Sequence, residues 1–374
     1  MTSRLQQLDL SIQPLERAET IPSSWYTDPE MFALELAAIF HRGWQFVGSS
    51  SRLSEVGSQI IASVGKEPVI LVRGKDGVIR AFYNVCRHRG GPLATEDGCS
   101  KMLQCKYHGW TYNLEGMLRG VPDFDRVELF DKKEFGLIPL HLAEWEGLLF
   151  VAIEEPTISL EIVMSGVRDR VRNANLRELK FHSRKVYDIR CNWKAYVDNY
   201  LEGYHVPIVH PELFKIYDFN KYQTDTFEWY SLQHSPLDED ESLYSKQVTG
   251  DIAREALYYH VFPNFMMNIL PGRLQTNLVL PVAVDRCQVI FDYYYEDISS
   301  PDALKMIAED QEFSHAVQLE DVEICELVQR GLSSRAYDKG RFSVKRENAV
   351  YHFQCMLKRM FGEYLELQRE ADLG

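Results

Sequence analysis

The chain lacks any stretch approaching the roughly 20 uninterrupted apolar residues of a membrane helix, so a membrane-spanning protein is not expected. The segment Met1-Thr-Ser-Arg-Leu-Gln-Gln7 has no apolar core of the signal-peptide kind, and a cytoplasmic, reducing compartment is the expectation. Basic residues are the minority, 41 against 55 acidic ones for a net charge of −14. That balance argues against a large phosphate-binding surface, so a nucleic-acid partner is not expected. Cysteine is scarce and odd in number, with seven in all, which does not suggest a disulfide framework. No Gly-x-Gly-x-x-Gly dinucleotide fingerprint occurs, so any NAD(P)H chemistry would belong to another protein. Internal repeats and low-complexity tracts are also missing.

What is present suits two domains, since 374 residues exceed the roughly 150 of one average domain. Residues 28 to 41 predict a first helix, with Asp28 as N-cap, Pro29 at its first position, and Phe32, Leu36, Ile39 and Phe40 as its apolar run. From about 58 to 155 short β-rich pieces follow: Val69 to Val72, a turn at Gly74 to Gly77, Val78 to Val85, and Gly147 to Ile153. Past Glu154-Glu155-Pro156, helical patterns near 159 to 175, 193 to 206, 302 to 330 and 346 to 367 mix with strand-like runs near 183 to 190, 258 to 270, 274 to 283 and 287 to 296. The expected fold class is α+β, a small all-β domain followed by a larger mixed one.

Two constellations carry chemistry. Cys86-Arg-His88 and Cys105-Lys-Tyr-His108 supply two thiolates and two imidazoles, sixteen residues apart. Such a set can hold a structural zinc ion as well as an iron–sulfur cluster. Both pairs fall in β-domain loops, and Gly90, Gly91, Pro92 and Gly109 supply tight turns whose N–H groups can approach cluster sulfides. Cys99, between the pairs, fits neither and reads as a structural thiol.

The second constellation begins on a helix near Trp193. Asp198, Glu202 and His205 are spaced to share one face of it, a solvated charged stripe being the alternative. Pro207 should end that helix near Val206 and let the chain swing His210 back toward His205. Two facing imidazoles need an anionic third ligand to make the 2-His-1-carboxylate set that leaves positions open on Fe(II). Asp321 is the candidate, because a helix would place it with Val317, Ile324 and Val328, while Glu323 neighbours Glu320 and Glu326. A helix-face carboxylate paired with an arginine is the other reading of Asp321.

Cys86-Arg-His-Arg-Gly-Gly-Pro92 and Cys105-Lys-Tyr-His-Gly-Trp110, with Glu202-x2-His205-x4-His210 and the late Asp321, resemble the α subunits of Rieske non-haem iron oxygenases. The resemblance implies a [2Fe–2S] cluster on Cys86, His88, Cys105 and His108, a mononuclear Fe(II) on His205, His210 and Asp321, and Glu202 and Asn199 as candidate catalytic residues. It further implies an antiparallel catalytic sheet flanked by helices, a separate flavin or ferredoxin-type reductase, and a homotrimer in which electrons pass from His108 of one subunit through Glu202 to His205 of the next. The expected division is a helical segment over 1 to 44 packing on the catalytic domain, a Rieske domain over 45 to 155, and a catalytic domain over 156 to 374. Glu202 stands where the aromatic-ring dioxygenases carry aspartate, and looks like the choline, carnitine and glycine betaine monooxygenase group. This favours a small amine-bearing substrate attacked with O2, with ring hydroxylation or O-demethylation of an aromatic compound as the alternative. A carrier or zinc-stabilised binding protein without a second site is the reading from another class. Tyr200, Tyr204, Trp229, Tyr258, Phe262 and Tyr293 to Tyr295 could cage an ammonium group, but aromatic residues on strands also build cores, and none is assigned to a cage.

Overall fold

The computed structural model describes residues 8–215, 219, 221–237 and 255–373. The chain divides into two compact units, Phe40–Leu160 and the combination of Met1–Ile39 with Glu161–Gly374. Among the described residues no helix is long and apolar enough to cross a membrane.

The smaller unit is all β. Its strands are β1 (Gln45–Ser49), β2 (Ser58–Val64), β3 (Glu67–Arg73), β4 (Ile79–Tyr83), β5 (Gly98–Cys99), β6 (Leu103–Gln104), β7 (Thr111–Tyr112), β8 (Leu118–Gly120), β9 (His141–Trp145) and β10 (Leu148–Ala152). They form three antiparallel sheets, ordered β4-β3-β2-β5, β6-β7-β8 and β1-β10-β9. Strand β3 explains how one apolar run serves two cores. Its side chains alternate across the sheet, so Val69 and Leu71 pack with Val47, Leu149 and Val151, while Ile70 and Val72 pack with Cys86, Cys105 and Trp110.

In the larger unit seven antiparallel strands run in the order β11-β17-β16-β15-β14-β13-β12. They are β11 (Lys180–Ile189), β12 (Gln223–Thr226), β13 (Tyr230–Pro236), β14 (Glu255–Val261), β15 (Phe265–Leu270), β16 (Arg273–Ala283) and β17 (Arg286–Tyr295). The helices used below are α1 (Pro29–Glu35), α2 (Trp193–Tyr200), α3 (Val206–Val209), α4 (Pro301–Leu332) and α5 (Asn348–Leu373). The Asp28 side chain caps α1 by accepting from Glu30 N at 2.9 Å, and Leu36–Phe40 continues as a π-turn.

Three expectations change. The helix expected over 159 to 175 is broken into Leu160–Val163 and Val167–Val171, with Gly166 at φ +83° between them. Strand β13 was not foreseen because its buried residues include Ser231, Gln233 and Ser235, which carry no apolar alternation. On α4 the buried stripe is Ile307, Asp310, Gln318, Cys325 and Gln329, and Val328 is 45% exposed, so Asp321 lies at the edge of the stripe rather than within an apolar one.

Candidate metal centres

The first candidate centre lies in the smaller unit, on two loops of the same construction. Cys86 N donates to Gly91 O at 2.8 Å and Gly90 N to Cys86 O at 3.0 Å; Cys105 N donates to Trp110 O at 2.8 Å and Gly109 N to Cys105 O at 3.1 Å. Gly90 (φ +72°) and Gly109 (φ +74°) take the left-handed turn that each loop needs. A Cβ at Gly91 would stand 2.8 Å from Cys105 Sγ, so glycine there lets the first loop approach the second thiol.

Both thiols are buried, and the His88 and His108 rings meet at the rim with centroids 4.7 Å apart. Trp110 stacks on His88 at 4.8 Å. Burial, with the nearby His108 and Arg89, lowers the His88 imidazole, so its neutral, ligating form is favoured. His88 Nδ1 is buried without a hydrogen-bond partner among the described residues. An orphaned nitrogen beside two buried sulfurs fits a group that takes up its lone pair. The only trio of His, Cys, Asp or Glu ligand atoms within 4.8 Å of one another among the described residues is elsewhere, so these four do not converge on one ion-sized point. A two-iron cluster, wider than a zinc ion, suits the spread. Tyr112, which the sequence did not flag, places its hydroxyl 3.3 Å from Cys86 Sγ while accepting from Arg87 N at 3.1 Å.

The second candidate centre is that trio, His205, His210 and Asp321, in the larger unit. Asn192 caps the start of α2 by accepting from Lys194 N at 3.0 Å, and the helix closes at Leu201. Glu202 and His205 therefore lie beyond it, and the helical face expected to carry Asp198 with them does not exist. Asp198 instead accepts from Tyr26 Oη at 2.5 Å, and burial pushes its carboxyl up to about 7. Pro207 also acts differently from expectation. It sits in the first turn of α3, where its missing N–H costs nothing, and so starts a helix rather than ending one. The outcome for the histidines is the expected one, with ring centroids 5.0 Å apart.

Glu202 organises the turn between the two helices. One carboxylate oxygen accepts from the backbone N–H groups of Tyr204 and His205, and the other lies 2.7 Å from His205 Nδ1. His210 is held likewise, with Nδ1 2.6 Å from Glu320 Oε2. The opposite nitrogens face Asp321 Oδ1, His210 Nε2 at 3.0 Å and His205 Nε2 at 3.8 Å. Neighbouring ligands of a first-row ion bound at about 2.1 Å stand about 3 Å apart, so the trio is close to closing on one. Asn199 Nδ2 donates to the same Asp321 oxygen at 2.6 Å. Burial alone would lower His210, but its bonds to Asp321 and Glu320 outweigh burial and raise it. Glu320 is the residue that sequence reasoning missed. The sequence showed it only as a helical neighbour of Glu323, whereas its flexible side chain reaches the buried imidazole of His210.

A cavity of about 970 Å³, its open mouth included, lies against this trio. Of the candidate cage residues, Tyr200 and Tyr258 line it, joined by Tyr196, Phe219, Tyr222, Phe291 and Phe313. Tyr204 is exposed, and Phe262 and Tyr293 to Tyr295 belong to the core. Arg273 on β16, the arginine that lines the cavity among the described residues, is paired with Asp310 at 2.7 Å, and both are buried.

Comparison with known proteins agrees with this architecture. The family model of the Rieske [2Fe-2S] domain matches residues 43–131, and that of the ring hydroxylating alpha subunit catalytic domain matches 176–363. The chain belongs to the Rieske ring-hydroxylating oxygenase α-subunit family, oxidoreductases whose Rieske domain holds a [2Fe–2S] cluster and whose catalytic domain binds mononuclear iron. It is 38% identical to the chloroplastic choline monooxygenase of Arabidopsis thaliana, over 92% of this chain and 83% of that one. It is 32% identical to the carnitine monooxygenase oxygenase subunit of Acinetobacter baumannii, over 91% of this chain and 94% of that one. The crystal structure of the quaternary ammonium Rieske monooxygenase CntA with L-carnitine superposes with a TM-score of 0.84 at 29% identity, covering 95% of this chain and 99% of that one.

Proposed function

We propose that this terminal oxygenase acts on a small quaternary ammonium or related amine, by O2-dependent hydroxylation or N-demethylation. The carrying observation is the cavity beside His205, His210 and Asp321, walled by aromatic rings that attract an ammonium group by cation–π contact. Pairing with Asp310 balances the charge of Arg273, which would otherwise repel such a substrate. Choline and carnitine as the named substrates of the relatives support the same class.

His205, His210 and Asp321 are assigned to the mononuclear iron, Cys86 and Cys105 to one cluster iron, and His88 and His108 to the other. When bound, the cluster would supply single electrons and the mononuclear iron would supply O2 activation. The chain's own residues set the ligand atoms. Glu202 and Glu320 accept the Nδ1 protons of His205 and His210, an assignment made from these partners, and so turn each Nε2 lone pair toward Asp321. Asn199 steadies the Asp321 carboxylate by its hydrogen bond. Glu202 and Asn199 are thus positioning residues. Electrons are assigned to a separate NAD(P)H-dependent reductase, and the oxygenase to a cytoplasmic homotrimer, for which the exposed Tyr204 and Ile208 beside the site offer apolar contact surface.

Oxygen uptake by the reductase-coupled enzyme tests the substrate. Choline-type amines are expected to stimulate it and simple aromatic acids to leave it at background; stimulation by aromatic acids alone would overturn the reading. Glu202→Gln keeps the shape but weakens the acceptor, and is expected to lower turnover about 10- to 100-fold while iron content stays unchanged. Wild-type turnover in that variant would remove the role of Glu202.

A further inference from the structure

Three cysteines from distant parts of the chain meet in the core of the larger unit, Cys325 one turn of α4 beyond Asp321. Cys191 lies between β11 and α2, Cys287 on β17 and Cys325 on α4, and all three are buried. Cys191 Sγ is 3.8 Å from Cys287 Sγ, within hydrogen-bond reach for sulfur. The three sulfurs are not all within 4.8 Å of one another, which argues against a single bound ion.

A surface groove lies on chain neighbours of the cluster rather than on the thiols themselves. It is lined by Arg190 and Arg286, the chain neighbours of Cys191 and Cys287, and by Gln329, one helical turn beyond Cys325. The thiols themselves are fully buried, so an oxidant reaches them through local opening of the surrounding structure. A disulfide requires the 3.8 Å gap to close to about 2.05 Å, which side-chain rotation must supply.

We propose that Cys191 and Cys287 form a peroxide-sensitive modification site that closes to a disulfide. The oxidant is hydrogen peroxide. The Cys191 sulfur attacks one peroxide oxygen, the O–O bond breaks, and a sulfenic acid and water form, the thiol proton leaving with the water. The Cys287 sulfur then attacks the sulfenic sulfur, the S–S bond forms, the S–O bond breaks, and a second water leaves with the Cys287 proton. Two thiols are oxidised and one peroxide is reduced to two waters. The hydrogen bond with Cys287 lowers the Cys191 thiol against its burial, which supports its role as the attacking sulfur.

The test treats the holoenzyme with a small excess of hydrogen peroxide, alkylates the remaining thiols under denaturing conditions, and maps the peptides by mass. The expected product is a dithiothreitol-reversible peptide pair linking Cys191 to Cys287, two hydrogens lighter than the reduced peptides. In Cys191→Ala the oxidation of Cys287 should slow about tenfold or more. In Cys287→Ala the link should vanish and Cys191 should become reactive to dimedone. A link from Cys191 to Cys325 instead would overturn the pairing. Cys191 and Cys287 fully alkylated, while exposed Cys99 is oxidised, would overturn the site; the wild-type map decides this even if a variant fails to fold.

Discussion

Asp321→Ala is expected to release the mononuclear iron and to cost the oxygenase well over 100-fold in activity, while the smaller unit keeps its cluster. The size of the effect follows from what surrounds Asp321. Both Nε2 atoms, of His205 and His210, and the Asn199 amide point at one of its oxygens. Residues that only orient ligands cost about 10- to 100-fold in metal affinity or activity when removed, so the group to which they are oriented must cost more. Unfolding would not account for the loss, because position 321 is partly exposed on α4 and alanine is the best helix former. The measurement is iron per chain beside visible absorbance: about three irons should fall to about two, with the cluster spectrum intact. Asn199→Ala removes only one hydrogen bond to the carboxylate, and should fall within the smaller, 10- to 100-fold range. If Asp321→Ala retained full iron and turnover, the assignment of the trio would fail.

How much of this could be read beforehand depended on how local each signal is. Cys86, His88, Cys105 and His108 lie in two short loops whose glycine and proline positions dictate the turns, so the residues and their conformation were legible together. Tyr112 was not, because a tyrosine at a strand end looks like core until its hydroxyl is seen against Cys86 Sγ. At the second centre the residues were legible but the backbone was not. Spacing suggested one helix through Glu202 and His205, whereas the Glu202 carboxylate competes for the N–H groups of Tyr204 and His205 and forms a turn of its own. Asp321 was singled out for an apolar stripe that the fold moves by a fraction of a turn, onto Gln318, Cys325 and Gln329. Glu320 and the trithiol cluster depend on contacts between residues far apart in the chain, which no local pattern encodes.

The largest expected effect on stability comes from a pair that no motif contains. Lys194 and Glu35 are both fully buried, their side chains ion-paired, with Lys194 Nζ also donating to Asn192 Oδ1 at 2.8 Å and Trp193 Nε1 donating to Glu35 Oε2 at 2.7 Å. Lys194→Met fits the space but leaves the carboxylate without its charge partner. Removing one member of a buried pair costs about 3–5 kcal/mol. Thermal unfolding of the larger unit should therefore begin roughly 5–15 °C lower. Burial already raises the Glu35 carboxyl even with lysine in place, and losing the lysine removes the interaction that opposes that rise. An acid raised in the folded state destabilises it as pH increases through that raised value, so the deficit should be smallest below the ordinary carboxylate range and grow toward neutral pH. Adding Glu35→Gln to Lys194→Met removes the stranded charge and keeps an acceptor for Trp193 Nε1, and should recover more than half of the loss. A single variant with wild-type stability at neutral pH would show that water reaches the carboxylate. The pair joins the end of α1 to the first turn of α2, the helix whose last turn carries Asn199. The double variant should therefore keep its iron and most of its activity, whereas Lys194→Met alone should lose both at temperatures that the native enzyme withstands.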